Sequence, residues 1–304
     1  MKKDFLSIQD LSTDEIRELL VSAFAIKACP LKYQDKLKGK ALALIFEKPS
    51  LRTRVTFDAG IHQMGGFSIV LTQGEINLGK RESVRDVAKN LERMVQGIMI
   101  RTFRQELVEK MAEYAGVPVI NGLTDSSHPC QALADYMTML EVKGNLQGLK
   151  VAYVGDGNNV LHSLLHGAAR LGVHLAVATP EKYEPDRRVV AWARENAAAT
   201  GAGVETMHDP VAAVTDADVV YTDAWTSMGR EPEAEQRSAV FQAYQVNDYL
   251  FSRAKHDAIF MHCLPAHRGE EVTDSVIDSP RSVVYQQAEN RLHAQKAILL
   301  SLMG

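Results

Sequence analysis

Ala41-Leu42-Ala43-Leu44-Ile45-Phe46-Glu47-Lys48-Pro49-Ser50-Leu51-Arg52-Thr53-Arg54 passes from six consecutive apolar residues through a short polar turn into a helical pattern. An apolar run of this length suits a strand covered on both faces, as in a parallel sheet flanked by helices. Phe57, Ile61 and Met64 then recur at i, i+4 and i+7, the stripe of an amphipathic helix. Pro49 punctuates the turn, and Ser50 stands where an N-cap belongs. The opening amides of a helix point outward unpaired and carry the positive end of its dipole, so such a turn can seat an anion. Arg52 and Arg54 add two permanent charges, and Ser50 and Thr53 add hydroxyl donors. A capped helix with solvated arginines would account for the cap alone. Two arginines, two hydroxyls and a helix start at the end of a buried strand together read as a phosphate site.

Outward from this stretch, strand and helix patterns alternate. Ser12-Thr13-Asp14-Glu15 forms a candidate capping box before Ile16, Leu19, Leu20 and Phe24, predicting a helix over 12–27. A strand is expected at 67–71, and Gly74-Glu75-Ile76-Asn77-Leu78-Gly79-Lys80, with glycines near both ends, reads as a loop. A helix follows with Val84, Val87, Ala88, Leu91 and Val95 inward. The strand 97–100 has Arg101 at its carboxyl end, and 117–120 runs into Asn121. His128-Pro129-Cys130-Gln131 opens a long helix with His128 as cap, proline at N1, and Leu133, Tyr136, Met137 and Leu140 as buried stripe. The glycines in 143–148 mark a boundary between halves. Beyond it come strands at 151–154, 174–178, 204–207, 219–222 and 258–261, with helices at 159–171, 186–199, up to about 254, and 288–303. This alternation predicts an α/β protein whose parallel sheets are doubly wound.

A chain of 304 residues exceeds one typical core, which favours two domains. Lys+Arg 34 against Asp+Glu 38 gives a net charge of −4 and no support for a nucleic-acid partner, so any basic feature is local. Cys29, Cys130 and Cys263 are odd in number and far apart, which fits a reducing compartment rather than a disulfide framework. The first residues lack the apolar core of a signal peptide, and no run reaches membrane-spanning length; a cytoplasmic location with no membrane partner is expected.

Ligands of open parallel sheets bind beyond the carboxyl ends of the strands. Ser50–Arg54, Arg101, His128, Asp223 and 262–264 all fall at such ends. Singly, Arg101 reads as a solvated charge and His128 as a cap; their joint placement points to function. Gly155-Asp156-Gly157-Asn158-Asn159 resembles the start of a dinucleotide fingerprint, but Val160 takes the third glycine position and no acid follows the next strand, so NAD is not expected. Asn158 and Asn159 either offer amides to a zwitterionic ligand or form a turn. Neighbouring strand residues point to opposite faces, so His262 and Cys263 should not share a metal, and none is expected.

Taken in order, Ser50-Leu51-Arg52-Thr53-Arg54, Arg101, His128-Pro129-Cys130-Gln131, Asp223 with Ser227-Met228-Gly229, and His262-Cys263-Leu264-Pro265 resemble the motifs of the ornithine carbamoyltransferase family over about residues 5 to 304. The sequence departs at Leu51, where many members carry threonine, and at Arg230, often acidic in relatives. The resemblance implies a carbamoyl-phosphate domain over 1–143, completed by the C-terminal helix 288–304 packing back on it, and an ornithine domain over 148–287. It implies a homotrimer, or a multiple of trimers, with shared active sites, and no cofactor. Phosphate contacts carry over to Ser50, the Leu51 backbone, Arg52, Thr53 and Arg101, with Asn77 reaching a neighbouring subunit's site. The carbonyl oxygen would meet Thr53, Arg101 and His128; Gln131, the Leu264 carbonyl and Arg291 would hold the carbamoyl nitrogen. Asn159, Asp223, Ser227 and Met228 would meet the amino-acid end of ornithine, with Asp223 and Cys263 near its side-chain amine. Arg101, His128, Asp223 and Cys263 are the catalytic candidates. Aspartate, putrescine or an acylated ornithine as acceptor, a nucleotide-dependent oxidoreductase, and an inactive scaffold are the rival readings.

Overall fold

The computed structural model describes residues 3–226 and 231–304. The chain divides into two compact units, Met1–Met137 with Glu289–Gly304, and Thr138–Ala288.

The first unit comprises α1 (Thr13–Ala28), β1 (Ala41–Phe46), α2 (Leu51–Gln63), β2 (Phe67–Thr72), α3 (Gln73–Ile76), α4 (Val84–Leu91), β3 (Gly97–Arg101), α5 (Gln105–Tyr114), β4 (Val119–Leu123) and the start of α6 (Pro129–Lys143). Its four strands are parallel in the order β2-β1-β3-β4. All six residues of β1 are buried, as its apolar run predicts. Ile45, Ile98 and Ile100 pack with Val87, Val108 and Met111 in one cluster, each such side chain contributing about 1.5–3 kcal/mol. The capping box at Ser12 forms, with Glu15 N–H donating to Ser12 Oγ at 3.2 Å and Ser12 N–H to Glu15 Oε2 at 2.9 Å. Three local expectations shift. The 74–80 loop carries the one-turn α3, closed by Asn77 in the left-handed region at φ 41. The α4 helix ends at Leu91, so Val95 is buried from a turn. Pro118 lacks an N–H, and β4 begins at Val119, whose N–H bonds Asp4 Oδ1 at 2.8 Å.

The second unit continues from α6 through β5 (Lys150–Val154), α7 (Asn159–Leu171), β6 (His174–Ala178), α8 (Arg187–Ala197), β7 (Val204–Met207), α9 (Pro210–Val214) and β8 (Val219–Thr222). Then follow α10 (Ala234–Phe241), α11 (Asp248–Phe251), β9 (Ile259–His262), α12 (Asp274–Ile277) and the start of α13 (Val284–Met303). The sheet is again parallel, in the order β7-β6-β5-β8-β9. The helix expected up to about residue 254 is broken between α10 and α11. Val246 leaves the helical path to pair with another segment, its N–H bonding the Glu271 carbonyl at 2.9 Å and its own carbonyl accepting from Thr273.

The later part of α13 packs on the first unit. Lys27 Nζ donates to Asn290 Oδ1 at 2.8 Å, and Lys296 Nζ to Gln63 Oε1 at 3.0 Å. In each sheet the order reverses at the first strand, β1 or β5, so the crevices at β1/β3 and β5/β8 are the switch points where a ligand belongs. Among the described residues no helix is long and apolar enough to cross a membrane.

Candidate functional site

In the first unit the polar groups converge beyond the carboxyl ends of β1 and β3. Ser50 caps α2, its Oγ accepting the Thr53 N–H at 3.3 Å. This cap sets the first turn of α2 so that Thr53, 1% exposed, turns inward. Thr53 Oγ1 accepts from Arg101 Nη1 at 3.4 Å and from Arg291 Nη2 at 3.1 Å. Arg291 Nη1 also donates to Gln131 Oε1 at 2.5 Å, and Gln131 Nε2 donates to Asp135 Oδ1 at 2.8 Å. His128 is buried before α6, and burial holds its imidazole well below the usual range, with the charges of Arg291, Arg101 and Arg52 adding to the effect. His128 is therefore neutral at physiological pH. Three guanidiniums around a neutral imidazole and a hydroxyl make a strongly electropositive pocket suited to a small anion with a polar carbonyl.

The two arginines of the opening stretch part company. Arg52 bears on His128, whereas Arg54 is exposed and lines a cleft with Glu47, Pro49, Ser50, Thr72 and Gln73. Two positions along a helix differ by about 200°, so residues 52 and 54 cannot serve the same side of α2. Leu51 is exposed, and its side chain adds no polar group. Asn77 is exposed at the end of α3 and joins none of the hydrogen bonds around Thr53. The Arg291 guanidinium, which offers donors only, orients Gln131 and Thr53.

In the second unit a second set gathers beyond β5, β8 and β9. Asp223 is buried directly after β8. Its Oδ1 accepts from Cys263 Sγ at 2.9 Å, and its Oδ2 from Asn158 Nδ2 at 2.7 Å. Asn158 caps α7, and Asn159 opens that helix, its carbonyl accepting from Ser163 Oγ at 3.1 Å. Leu264 adopts φ 58, and its N–H donates to His262 Nδ1 at 2.8 Å. On the far side of the ring, His262 Nε2 lies 3.1 Å from Glu271 Oε1, with both side chains fully buried. Ser227, Met228 and Arg230 lie outside the described residues.

The alternation argument for His262 and Cys263 fails here. The β9 strand stops at His262, the chain turns, and ligand atoms of Asp223, His262 and Cys263 lie within 4.8 Å of one another. Both nitrogens of His262 are already engaged, by Glu271 and by the Leu264 N–H. The G-x-G has a packing reason at Gly157, where a Cβ would collide with the Glu184–Pro185 backbone. Sequence reasoning missed Asp135, Glu271 and the part played by Asn158. Only Asn158 carried a local signal, an N-cap residue between a buried strand and a helix.

The model of the carbamoyl-P binding domain of aspartate/ornithine carbamoyltransferases matches residues 3–141, and that of the Asp/Orn binding domain matches residues 147–302. An ornithine carbamoyltransferase of Thermococcus kodakarensis is 56% identical over 304 residues, covering 99% of this chain and 96% of the relative. An anabolic ornithine carbamoyltransferase of Pyrococcus furiosus is 55% identical over 99% of this chain and 96% of its own length. A solved structure of the ornithine carbamoyltransferase from Pyrococcus furiosus superposes with a TM-score of 0.97 at 54% identity, covering 99% of this chain and 97% of that one.

Proposed function

The chain belongs to the aspartate/ornithine carbamoyltransferase family, and from that premise we propose that it transfers the carbamoyl group of carbamoyl phosphate to the side-chain amine of L-ornithine, giving L-citrulline and phosphate. The observation that carries this reading is the buried cluster of Arg101, Arg291 and neutral His128 around Thr53 Oγ1. It matches a dianion whose carbonyl oxygen gains charge during attack.

Ser50, the Leu51 amide at the start of α2, Thr53, Arg52 and Arg101 hold the phosphate. Thr53, Arg101 and His128 donate to the carbonyl oxygen as an oxyanion hole, each donor being worth about 3–4 kcal/mol when removed. Gln131 Oε1 and the Leu264 carbonyl accept from the carbamoyl N–H groups, and Arg291 holds Gln131 in place. The neutral amine of ornithine attacks the carbamoyl carbon and a C–N bond forms. The C–O bond to phosphate then breaks, the electron pair leaves with phosphate, and the amine gives up one proton. Asp223 and Cys263 orient that amine, and its proton ends on the Asp223 carboxylate. It passes there directly, or with the Cys263 thiol giving its own proton to Oδ1 as it takes the amine's. Asn159, Ser227 and Met228 hold the amino-acid end. Asn77 serves the site of a neighbouring copy, within a homotrimer or a multiple of trimers in the cytoplasm. Two spans carry the two substrates: 1–143, completed by 288–304, takes carbamoyl phosphate, and 148–287 takes ornithine.

A colorimetric citrulline assay with carbamoyl phosphate and ornithine tests the reading, with aspartate, putrescine and N-acetylornithine as competing acceptors. Product with ornithine alone is expected; turnover of another acceptor in its place would overturn the substrate assignment. Light scattering on the purified protein reports the copy number.

A further inference from the structure

We infer that Asn158 is a positioning residue for Asp223: by capping α7 with its amide oxygen it is compelled to aim its amide nitrogen at the carboxylate. The Oδ1 atom accepts from Val160 N–H at 3.0 Å, from Leu161 N–H at 3.2 Å and from the Tyr153 hydroxyl at 3.3 Å. A flipped amide would set its NH2 against the two backbone N–H groups, which can only donate, so the orientation is fixed by chemistry. The Nδ2 atom then has one direction left, and it meets Asp223 Oδ2 at 2.7 Å. An amide does not titrate, so Oδ2 is permanently occupied by a donor. The other oxygen, Oδ1, faces the Cys263 thiol at 2.9 Å. Helix cap and carboxylate are thus joined through a single side chain, and the dipole of α7 points its positive end at the same place.

The titratable and charged groups around Asp223 among the described residues are few. Cys263 and His262, the latter held by Glu271, face it from the end of β9, and the Tyr153 phenol from β5. Asp156 stands in the β5–α7 turn and is ion-paired to Arg237 of α10 at 2.5 Å. Asn158 is the uncharged member of this group, and replacing it changes the charge balance at Oδ2 alone. The inference rests on the reading that Asp223 receives the ornithine amine and its proton.

Asn158→Ser and Asn158→Asp test it, because serine and aspartate cap a helix about as well as asparagine. Asn158→Ser is expected to melt like the wild type. Asn158→Asp should keep the cap but melt lower at neutral pH than at about pH 5, because its carboxylate faces that of Asp223. Asn158→Ser removes the donor to Asp223, and kcat for citrulline should fall about tenfold or more while KM for carbamoyl phosphate stays within about twofold. Asn158→Asp sets a second carboxylate against the first, and the kcat/KM profile for ornithine should gain an acid limb from that pair which the wild type lacks between about pH 6 and 9. Iodoacetamide alkylation of Cys263, followed by peptide mass against pH, should shift to higher pH in the same variant. Wild-type kcat in both variants, with superimposable pH and alkylation profiles, would show that Asn158 is a helix cap only and overturn the inference. If the wild type makes no citrulline, the functional reading has failed, and the alkylation profiles still decide whether Asn158 controls the Asp223–Cys263 pair.

Discussion

Replacing His128 with glutamine separates two jobs that an imidazole can do, donating a hydrogen bond and exchanging a proton. An ordinary histidine, with a pKa of about 6.5, is about three-quarters protonated at pH 6 and about one-quarter at pH 7. Burial of His128 beside Arg291, Arg101 and Arg52 pushes its titration well below that range, so the neutral form persists across both values. The remaining pH dependence between 6 and 9 then belongs to ornithine. Its amine, with a pKa of about 10.4, gains roughly tenfold in neutral form per pH unit. A plot of log kcat/KM for ornithine should rise with a slope near one throughout. Were His128 to titrate at its ordinary position, the wild type would lose about a further fourfold at pH 6 relative to that line. Glutamine offers a donor that cannot ionise, on a longer and less rigid stem. We expect kcat about 10²–10³-fold lower, as for the loss of one oxyanion donor, with the shape of the profile unchanged. Initial-rate citrulline assays from pH 5.5 to 9.5 give both quantities. An extra acid limb near pH 6.5 in the wild type that disappears in His128→Gln would refute the neutral assignment.

Arg291→Lys keeps the charge but loses the fork that joins Thr53 to Gln131; kcat/KM for carbamoyl phosphate should fall by at least about tenfold, measured by initial rates at saturating ornithine. Ser50→Ala removes the cap of α2 and should cost about 1 kcal/mol in denaturant unfolding, with weaker binding of inorganic phosphate by calorimetry. His166 is buried against Trp192, and both its ring nitrogens lack a hydrogen-bond partner among the described residues; burial lowers its pKa to about 4. A folded-state value below the unfolded one means that the unfolded chain binds the extra proton, so stability is lost as pH falls below about 6.5. His166→Leu should remove about 2 kcal/mol of the loss between pH 7 and 5, read from denaturant melts at both values.

The elements legible in the sequence are those whose signals are local. A fully buried parallel strand is a continuous apolar run, so β1 is found at its observed ends, and β6 and α7 likewise. The capping box at Ser12 and the cap at Ser50 are written within four residues. The break between α10 and α11 depends on the Val246 N–H donating to the distant Glu271 carbonyl, and no pattern near 245 reveals it. Arg54 shows the same limit at closer range, because its sequence position beside Arg52 looks functional and only the helix geometry turns it away. Thr53 as a shared acceptor for Arg101 and Arg291 is a long-range fact, the second partner lying 238 residues along the chain. Family resemblance names Thr53 and Arg291 as site residues but not the bond between them.

The interleaving of the units fixes an order of completion. The second unit has its last residue at Ala288, whereas the first must wait for Glu289–Gly304. On a ribosome, the half made first is therefore the half finished last. Arg291, Asn290 and Lys296 all arrive with that closing segment. A chain stopped at Ala288 would hold every residue of the second unit but an anion pocket missing one of its three guanidiniums. Completion of the cationic cluster around Thr53 thus reports that Arg291 has been made and folded back onto the first unit.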